Sequence, residues 1–379
     1  MAPHEGGPPR VVAGLTVAQR ALGIDAHVLC GDGMRLPGYL DYWQAHAPGF
    51  PAGNAHTFIP TRNGLGARAM ALREWLAGNL AAFDVVHIHH LWRLVPTLAG
   101  YFCRQLGVPY LIAPHTSLSP WALGQKKLKK QLARLFVWNR ILKRASGFHS
   151  LNDLEAEEIR GCMGRTCPRV FVVPNGVSLT EFPERAASSV SDVADGRPYI
   201  LFLARLHTMK GPDLLLEAFA GVAAAHPEMQ LVFAGPDYGM LAALQRRTAE
   251  LQLTARVRFL GLVSGSERLS LLRNALCLSQ PSRDEGFSLS ILEAMASGCP
   301  VVISEHCKFP DVARRAAGII VPLSVPELAA ALRSYAEDAP RRALDGRSAR
   351  RLIEESYTWD IVGATTVRMY SSIQRGPPS

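Results

Sequence analysis

The chain has 379 residues, of which 48% are hydrophobic and 19% charged, a composition typical of a globular protein long enough for two domains. It has no uncharged apolar run of about 18 residues and no signal-peptide pattern, so we expect a cytoplasmic protein without a membrane-spanning helix. Its seven cysteines form no Cys-x-x-Cys pair, which argues against zinc, and 41 basic residues against 32 acidic ones favour an anionic partner.

Strand-like and helical segments alternate through the first half of the chain. The predicted strands are residues 26–30, 85–89, 109–114 and 170–174, and the predicted helices include residues 65–80 and 126–145. Strands that alternate with helices pair in parallel, because each crossover helix returns the chain to the same end of the sheet. The pattern predicts a Rossmann-like domain over residues 1–177.

The segment from Lys126 to Ala145 contains eight basic residues and no acidic one. The apolar residues that share one face, if the segment is helical, are Leu128, Leu132, Leu135 and Leu142. Two interpretations stay open: a basic amphipathic helix that lies on anionic lipid, or an apolar stripe that faces the core with a solvated basic back. No zinc finger, helix-turn-helix signal or aromatic-interleaved basic strand accompanies the charge, so we expect no nucleic-acid partner.

Residues 178–198 are rich in turn formers and poor in apolar periodicity, which indicates an interdomain linker. A second alternating series follows, with predicted strands at residues 199–204, 231–234, 257–260, 276–280 and 301–304. It predicts a second Rossmann-like domain over residues 199–358. Such sheets bind ligands beyond the carboxyl ends of their strands, so two facing domains would form a cleft there.

Two glutamates flank the start of an apolar helix after residue 284. Glu285 precedes the helix beside Gly286, and Glu293 lies within it. A buried carboxylate is costly without partners, so Glu293 either meets fixed donors in the core or faces a cleft and binds hydroxyls. Ser288 is placed to cap the helix, whose first amides would take a phosphate. This arrangement predicts a site for a sugar nucleotide.

The two glutamates have seven residues between them, in a segment that begins Glu-Gly-Phe, runs into Glu-Ala-Met-Ala-x-Gly-x-Pro-Val-Val and ends at Val302. This segment resembles the glutamate motif of retaining GT-B glycosyltransferases of glycosyltransferase family 4, of the bacterial polysaccharide-biosynthesis type. The resemblance extends from Gly6 to about Tyr370. It implies two Rossmann-like domains that face a central cleft: an acceptor domain, residues 1–177, and a nucleotide-sugar domain, residues 199–358. It also implies a closing helix within residues 359–379 that packs back on the first domain.

The resemblance assigns roles to residues around the nucleotide sugar. It implies that Arg205 and Lys210, just after a predicted strand, neutralise the departing diphosphate, although two solvated loop charges are the alternative. It places Glu293 on the ribose hydroxyls. The implied contacts of the donor sugar are Glu285, Gly286, Phe287, Ser288 and Leu289.

His115 resembles the cleft histidine of the family, which contacts the donor sugar, although Thr116 stands where the family usually has glycine. A lone histidine is more often structural, so that alternative stays open. His87, His89 and His90 lie on or near one predicted strand and only partly share a face, so we expect no metal site there.

Gly6 and Gly7, followed by two prolines, resemble the donor-binding loop and helix start that follow the first strand of the family. Only five residues precede this loop, too few for that strand. We therefore expect the amino-terminal domain to lack its first strand.

The implied reaction is a retaining, metal-independent transfer from a nucleotide sugar to a glycan or lipid-linked glycan in cell-surface polysaccharide biosynthesis, with no cofactor. Its catalytic residues would be Glu285, His115, Arg205 and Lys210, and a leaving phosphate oxygen would take the acceptor proton. If the basic segment binds lipid, the enzyme would be peripheral on the inner face of the cytoplasmic membrane. Two alternatives stay open: a small soluble acceptor, or a catalytically silent GT-B module that binds membranes or partners.

Overall fold

The computed structural model describes residues 7–31, 49–58, 64–124, 137–183 and 196–373, together with residues 43, 47 and 133. The chain divides into two compact units, Met1–Gly176 with Trp359–Ser379, and Val177–Thr358. Among the described helices, none combines the length and the hydropathy that a membrane crossing requires.

The first unit is built from parallel strands flanked by helices. Strands β1 and β2, Val28–Gly31 and Ala55–Phe58, pair with each other. A four-stranded parallel sheet has the order β3-β4-β5-β6, with bounds Val86–His89, Tyr110–Ala113, Gly147–Ser150 and Val170–Val172. The helices α1 to α6 are Gly7–Ala21, Gly64–Asn79, Leu94–Leu106, Pro120–Gly124, Asn139–Arg144 and Asp153–Met163.

The carboxyl-terminal helix, Trp359–Ser371, packs on α1 within this first unit. Glycines make the close approach possible, because a Cβ at Gly14 would overlap the Trp359 ring and one at Gly363 would lie 2.8 Å from the Cβ of Ala18. The first and last described helices of the chain are therefore neighbours.

The described part of the first unit begins with α1, and within it β1 and β2 pair with neither edge of the four-stranded sheet. Of the predicted helix from Lys126 to Ala145, the structure describes mainly residues 137–145, where α5 covers Asn139–Arg144. Lys126, Lys127, Lys129 and Lys130 lie outside the described residues.

The second unit contains a six-stranded parallel sheet in the order β12-β11-β10-β7-β8-β9. The strands β7 to β12 are Tyr199–Leu203, Gln230–Ala234, Val257–Gly261, Cys277–Gln280, Val301–Ser304 and Gly318–Val321. The helices α7 to α13 are Pro212–Ala223, Leu241–Glu250, Gly265–Asn274, Leu289–Ala296, Asp311–Arg314, Val325–Glu337 and Ala339–Ser356.

This strand order is that of a doubly wound Rossmann fold, and it reverses direction between β7 and β10. The two strands lie side by side, with Ile200 opposite Cys277 and Leu201 opposite Leu278. In folds of this type, the segments that leave the carboxyl ends of two such strands cross to opposite faces of the sheet, and ligands bind at that point. The sheet topology therefore selects the residues after β7 and after β10 as the candidate site of this unit.

Candidate functional site

Two segments meet at the switch point of the second unit: residues 205–211 after β7, called the lysine loop, and residues 281–288 after β10, called the glutamate turn. Gly211 ends the lysine loop with φ +70, and a Cβ there would overlap the carbonyl oxygen of Pro281. The backbone N–H of Arg283 donates to the carbonyl of Met209 across 2.7 Å. The loop and the turn are therefore in direct backbone contact.

Arg283 strengthens this contact through its side chain. Its guanidinium donates two hydrogen bonds to the Asp213 carboxylate, at 2.9 and 2.6 Å, and a third to the carbonyl of Thr208 at 2.6 Å. A bidentate pair of this kind fixes direction as well as distance. Asp213 lies in the first turn of α7, so the glutamate turn is fastened to the helix that follows the lysine loop.

Lys210 and Glu285 form an ion pair between the two segments, and both side chains are only 12% exposed. Gln280 Nε2 also donates to Glu285 Oε2 at 2.8 Å, and the backbone N–H of Glu285 donates to the carbonyl of His306. The two predicted residues are thus brought together, with the carboxylate held by Lys210 and Gln280 and the backbone of Glu285 held by His306.

Arg205 begins the lysine loop, and its guanidinium lies 4.9 Å from the centre of the Tyr238 ring. Between the two cations, His207 has a lowered pKa, first because it is partly buried and then because Arg205 and Lys210 repel a positive charge. The loop therefore combines two fixed cations with a histidine that is kept neutral, which suits an anionic ligand.

Glu293 on α10 is 2% exposed, and Arg268 on α9 donates to its Oε1 at 2.8 Å. The sequence left two alternatives for this carboxylate, fixed donors in the core or the hydroxyls of a ligand, and Arg268 is a fixed donor of the first kind. The sequence analysis missed Arg268, because an arginine on an amphipathic helix usually lies in solvent and its partner is 25 residues away in the chain.

One expectation about the helix start needs correction. Ser288 occupies the N-cap position of α10, but its hydroxyl makes no capping bond and instead donates to Gln280 Oε1 at 3.1 Å. The Phe287 side chain is buried against Phe309 and Tyr357, with ring centres 4.7 and 5.6 Å away. A ligand would therefore meet the backbone of Phe287 rather than its ring.

In the first unit, His115 lies in the loop that follows β4. The loop backbone is left-handed there, with φ +48 at His115 and +61 at Thr116. The buried carboxylate of Glu155, in the first turn of α6, holds this loop. It accepts the backbone N–H of Thr116 through Oε1 and that of Leu151 through Oε2, each at 2.7 Å. The sequence analysis missed Glu155 as well.

Histidines gather around this loop and along the neighbouring strands. His89 Nδ1 and His115 Nε2 are 2.9 Å apart, and their rings are stacked. Burial is the main cause that lowers the pKa of His90 and His149 to about 4. Burial also holds the pKa values of His87, His89 and His115 well below the usual value. The five rings, His87, His89, His90, His115 and His149, are therefore neutral at pH 7.

Hydrogen-bond directions in one part of this cluster follow from a fixed acceptor. The Val173 carbonyl can only accept, so His149 donates to it from Nε2 at 2.7 Å and accepts at Nδ1. His87 then donates from Nε2 to His149 and accepts at Nδ1 from the Tyr370 hydroxyl. The Tyr370 oxygen in turn accepts from Gln19 Nε2. We call this the Gln19-to-Val173 chain.

The remaining predicted positions lie elsewhere. Gly6 is outside the described residues, and Gly7 opens α1 in the first unit. Gly286 and Leu289 belong to the glutamate turn and the start of α10. In the described ranges, no group of three or more His, Cys, Asp or Glu side chains could hold a metal ion.

Comparisons with known proteins match both halves of the chain. Residues 184–359 match the family of glycosyl transferases group 1, and residues 6–176 match the glycosyl transferase 4-like domain. The D-inositol 3-phosphate glycosyltransferase of Streptomyces avermitilis is 28% identical over 317 residues, 79% of this chain and 68% of the relative. The glycogen synthase of Mycobacterium tuberculosis is 27% identical over 301 residues, 77% and 70% of the two chains. Anabaena Alr3699/HepE, solved in complex with UDP-glucose, superposes with a TM-score of 0.78 at 18% identity, covering 98% of each chain.

Proposed function

Because the chain belongs to the glycosyl transferases group 1 family, we propose that it transfers a sugar with retention of configuration from a nucleotide sugar to a glycan or lipid-linked glycan. Its fold is GT-B, as the sequence predicted, and it is a glycosyltransferase of the hexosyltransferase type. The retaining course, the donor and the acceptor are the parts that we propose.

The observation that carries the proposal is the Lys210–Glu285 pair at the switch point, with Arg205 on the same loop. We assign Arg205 and Lys210 to the diphosphate, because preorganised cations stabilise the charge that develops on a departing nucleotide. An incoming diphosphate would compete with Glu285 for Lys210. The released carboxylate would then be available to the hydroxyls of the donor sugar.

The other roles follow the same geometry. The backbone of Gly286, Phe287 and Leu289 would line the donor sugar at the start of α10, where helix amides favour negative charge. Glu293 would bind the ribose hydroxyls, and His115, as a neutral ring, would contact the donor sugar. A leaving phosphate oxygen would take the acceptor proton, so the proposed reaction uses neither cofactor nor metal.

Thermal shift with UDP-, GDP- and ADP-sugars tests the donor assignment, and UDP-glucose, which Anabaena Alr3699/HepE binds, is tried first. A donor at 100 times its dissociation constant should stabilise the protein by about 2.7 kcal/mol. The anomeric configuration of the product, read by NMR, tests retention, and activity should survive a chelator. If none of these sugars binds or is consumed, the catalytically silent alternative replaces the enzyme.

For the acceptor, we propose a glycan or lipid-linked glycan of the cell surface, with the enzyme docked on the inner face of the cytoplasmic membrane. The described end of the basic segment supports docking. Arg140, Lys143 and Arg144 are exposed on α5, one turn apart, and Val137 beside them is 40% exposed. Basic side chains near an anionic surface each contribute about 1 kcal/mol. The named relative that acts on D-inositol 3-phosphate favours the second candidate, a small soluble acceptor.

Vesicle flotation separates the two acceptors. The protein should float with phosphatidylglycerol vesicles, less so at high salt, and replacement of Arg140, Lys143 and Arg144 with glutamine should release it without a change in nucleotide affinity. The matched control replaces Arg246, Arg347 and Arg351, which are exposed on the second unit, and removes the same charge. Equal flotation of both variants, or no flotation of the parent, would favour the soluble acceptor, and D-inositol 3-phosphate would then be the first one assayed.

A further inference from the structure

Arg268 is a side-chain partner of Glu293 within the second unit. It lies on α9 and is 17% exposed, whereas the Glu293 side chain is 3% exposed. The hydrogen bond from its guanidinium to Glu293 Oε1, 2.8 Å long, is charge-assisted. A carboxylate this deeply buried depends strongly on such a partner, because an unpaired buried charge is costly.

The guanidinium of Arg268 is itself held in place. Its second terminal nitrogen lies 3.5 Å from Glu181 Oε2, and its plane lies near the ring of Phe182, 5.9 Å from the ring centre. Both residues follow the chain's entry into the second unit. The orientation of Arg268 is therefore set by neighbours on one side, and it sets the orientation of Glu293 on the other.

We infer that Arg268 is a positioning residue for the nucleotide, which keeps the Glu293 carboxylate turned so that it accepts hydrogen bonds from the ribose hydroxyls. This inference rests on the proposed role of Glu293. A ribose diol presents two O–H donors in a fixed geometry, and a carboxylate accepts them only when its plane has the matching orientation. Arg268 fixes that plane by occupying one oxygen from the helix α9 side.

The test compares the affinities of UDP and 2′-deoxy-UDP by isothermal titration calorimetry. The wild-type protein should prefer UDP by about tenfold or more, since a hydrogen bond to a charged group is lost with the 2′-hydroxyl. Arg268→Gln should reduce this preference to about twofold or less, and Arg268→Lys, which keeps the charge but not the fork, should be intermediate. In turnover assays, Arg268→Gln should raise KM for the donor more than it lowers kcat.

Arg273→Gln is the matched control. Arg273 lies on the same helix and is half-buried, but its guanidinium donates to the carbonyl of Pro183, at 2.7 Å, in an exposed hydrogen bond. It should keep the full preference for UDP. Glu181→Gln removes the charge of the other carboxylate near Arg268 and leaves Glu293 in place. It should reduce the preference for UDP less than Arg268→Gln does. The melting temperature of each variant shows whether it is folded.

Glu293→Gln distinguishes failure of this inference from failure of the proposed function. If Glu293→Gln leaves both nucleotide affinity and the preference for UDP unchanged, the ribose assignment itself is wrong. If Glu293→Gln abolishes the preference while Arg268→Gln and Arg268→Lys retain it, Glu293 binds ribose without help from Arg268 and the inference is overturned.

Discussion

Thr116 shows how a single residue departs from its expected conformation. A β-branched residue with φ +61 is uncommon, because its side chain crowds the backbone in the left-handed region. The surrounding structure holds it there: its N–H bonds to Glu155, and its hydroxyl donates to the carbonyl of His115 at 2.6 Å. Backbone strain of this kind persists only where neighbours over-determine it, often near functional groups.

We predict that Glu155→Gln destabilises the first unit by about 1–3 kcal/mol, the cost of a buried donor left without an acceptor. Glutamine offers one oxygen to two backbone N–H groups, so either Thr116 or Leu151 loses its partner. Urea unfolding measures the difference. Glu157→Gln, on the exposed side of the same helix, is the control. Equal stability of the two variants would contradict the role of the Glu155 carboxylate in holding the loop that contains His115.

At the same scale, Lys210→Ala should slow transfer by an amount on the order of 3 kcal/mol in the barrier, as the loss of a single preorganised donor does elsewhere. Lys210→Arg keeps the charge and should retain a measurable part of the activity. Steady-state turnover and circular dichroism of both variants check this. Wild-type turnover in Lys210→Ala would refute the diphosphate role of the lysine loop.

The carboxyl-terminal helix is an element held by polar contacts as well as by packing, because Tyr370 in that helix links Gln19 of α1 to His87 of β3. The Gln19-to-Val173 chain of hydrogen bonds requires neutral histidine rings, since a protonated His149 or His87 would place two N–H groups against each other. Burial lowers the pKa values of both histidines below the ordinary value of about 6.5. At pH values between this ordinary pKa and the lowered pKa of the folded protein, the unfolded chain binds more protons than the folded chain. Stability should therefore be full above about pH 6.5 and fall as the pH drops towards about 4, the folded value for His149.

Tyr370→Phe tests this element directly. It removes the donor to His87 and the acceptor of Gln19, and should cost about 1–3 kcal/mol for each buried group left unpaired. Amide hydrogen exchange should then rise in α1 and in the carboxyl-terminal helix. Tyr101→Phe, at an exposed position on α3, should leave exchange unchanged, and protection that is equal in both variants would show that packing alone holds the helix.

The sequence predicted most strands of both sheets, because their apolar, branched residues are buried as a continuous run. It missed the edge strands β2 and β12, and it missed β5, Gly147–Ser150, where His149 and Ser150 are buried despite being polar. Burial of these residues depends on partners that lie far apart in the chain. The sequence motifs located Lys210 and Glu285. Arg268 and Glu155 could be recognised only in the folded structure, because each has a partner that also lies far from it in the chain.

At the scale of the whole molecule, the chain passes between the units at two places, after Gly176 and after Thr358. These places are close together: Val177 pairs with Thr358 inside the second unit, and a Cβ on Gly176 would lie 2.9 Å from the Trp359 ring inside the first. The second unit is thus inserted into the first through two adjacent connections, and its own first and last residues are neighbours.

This arrangement has a consequence for the order in which the protein matures on the ribosome. Domains generally fold as they emerge, the amino-terminal one first. Here α1 is made before the whole second unit, yet the helix that packs on it, Trp359–Ser371, is made after that unit. The second unit can finish folding during synthesis, whereas the first waits, with one face of α1 uncovered, until Trp359–Ser371 has been made.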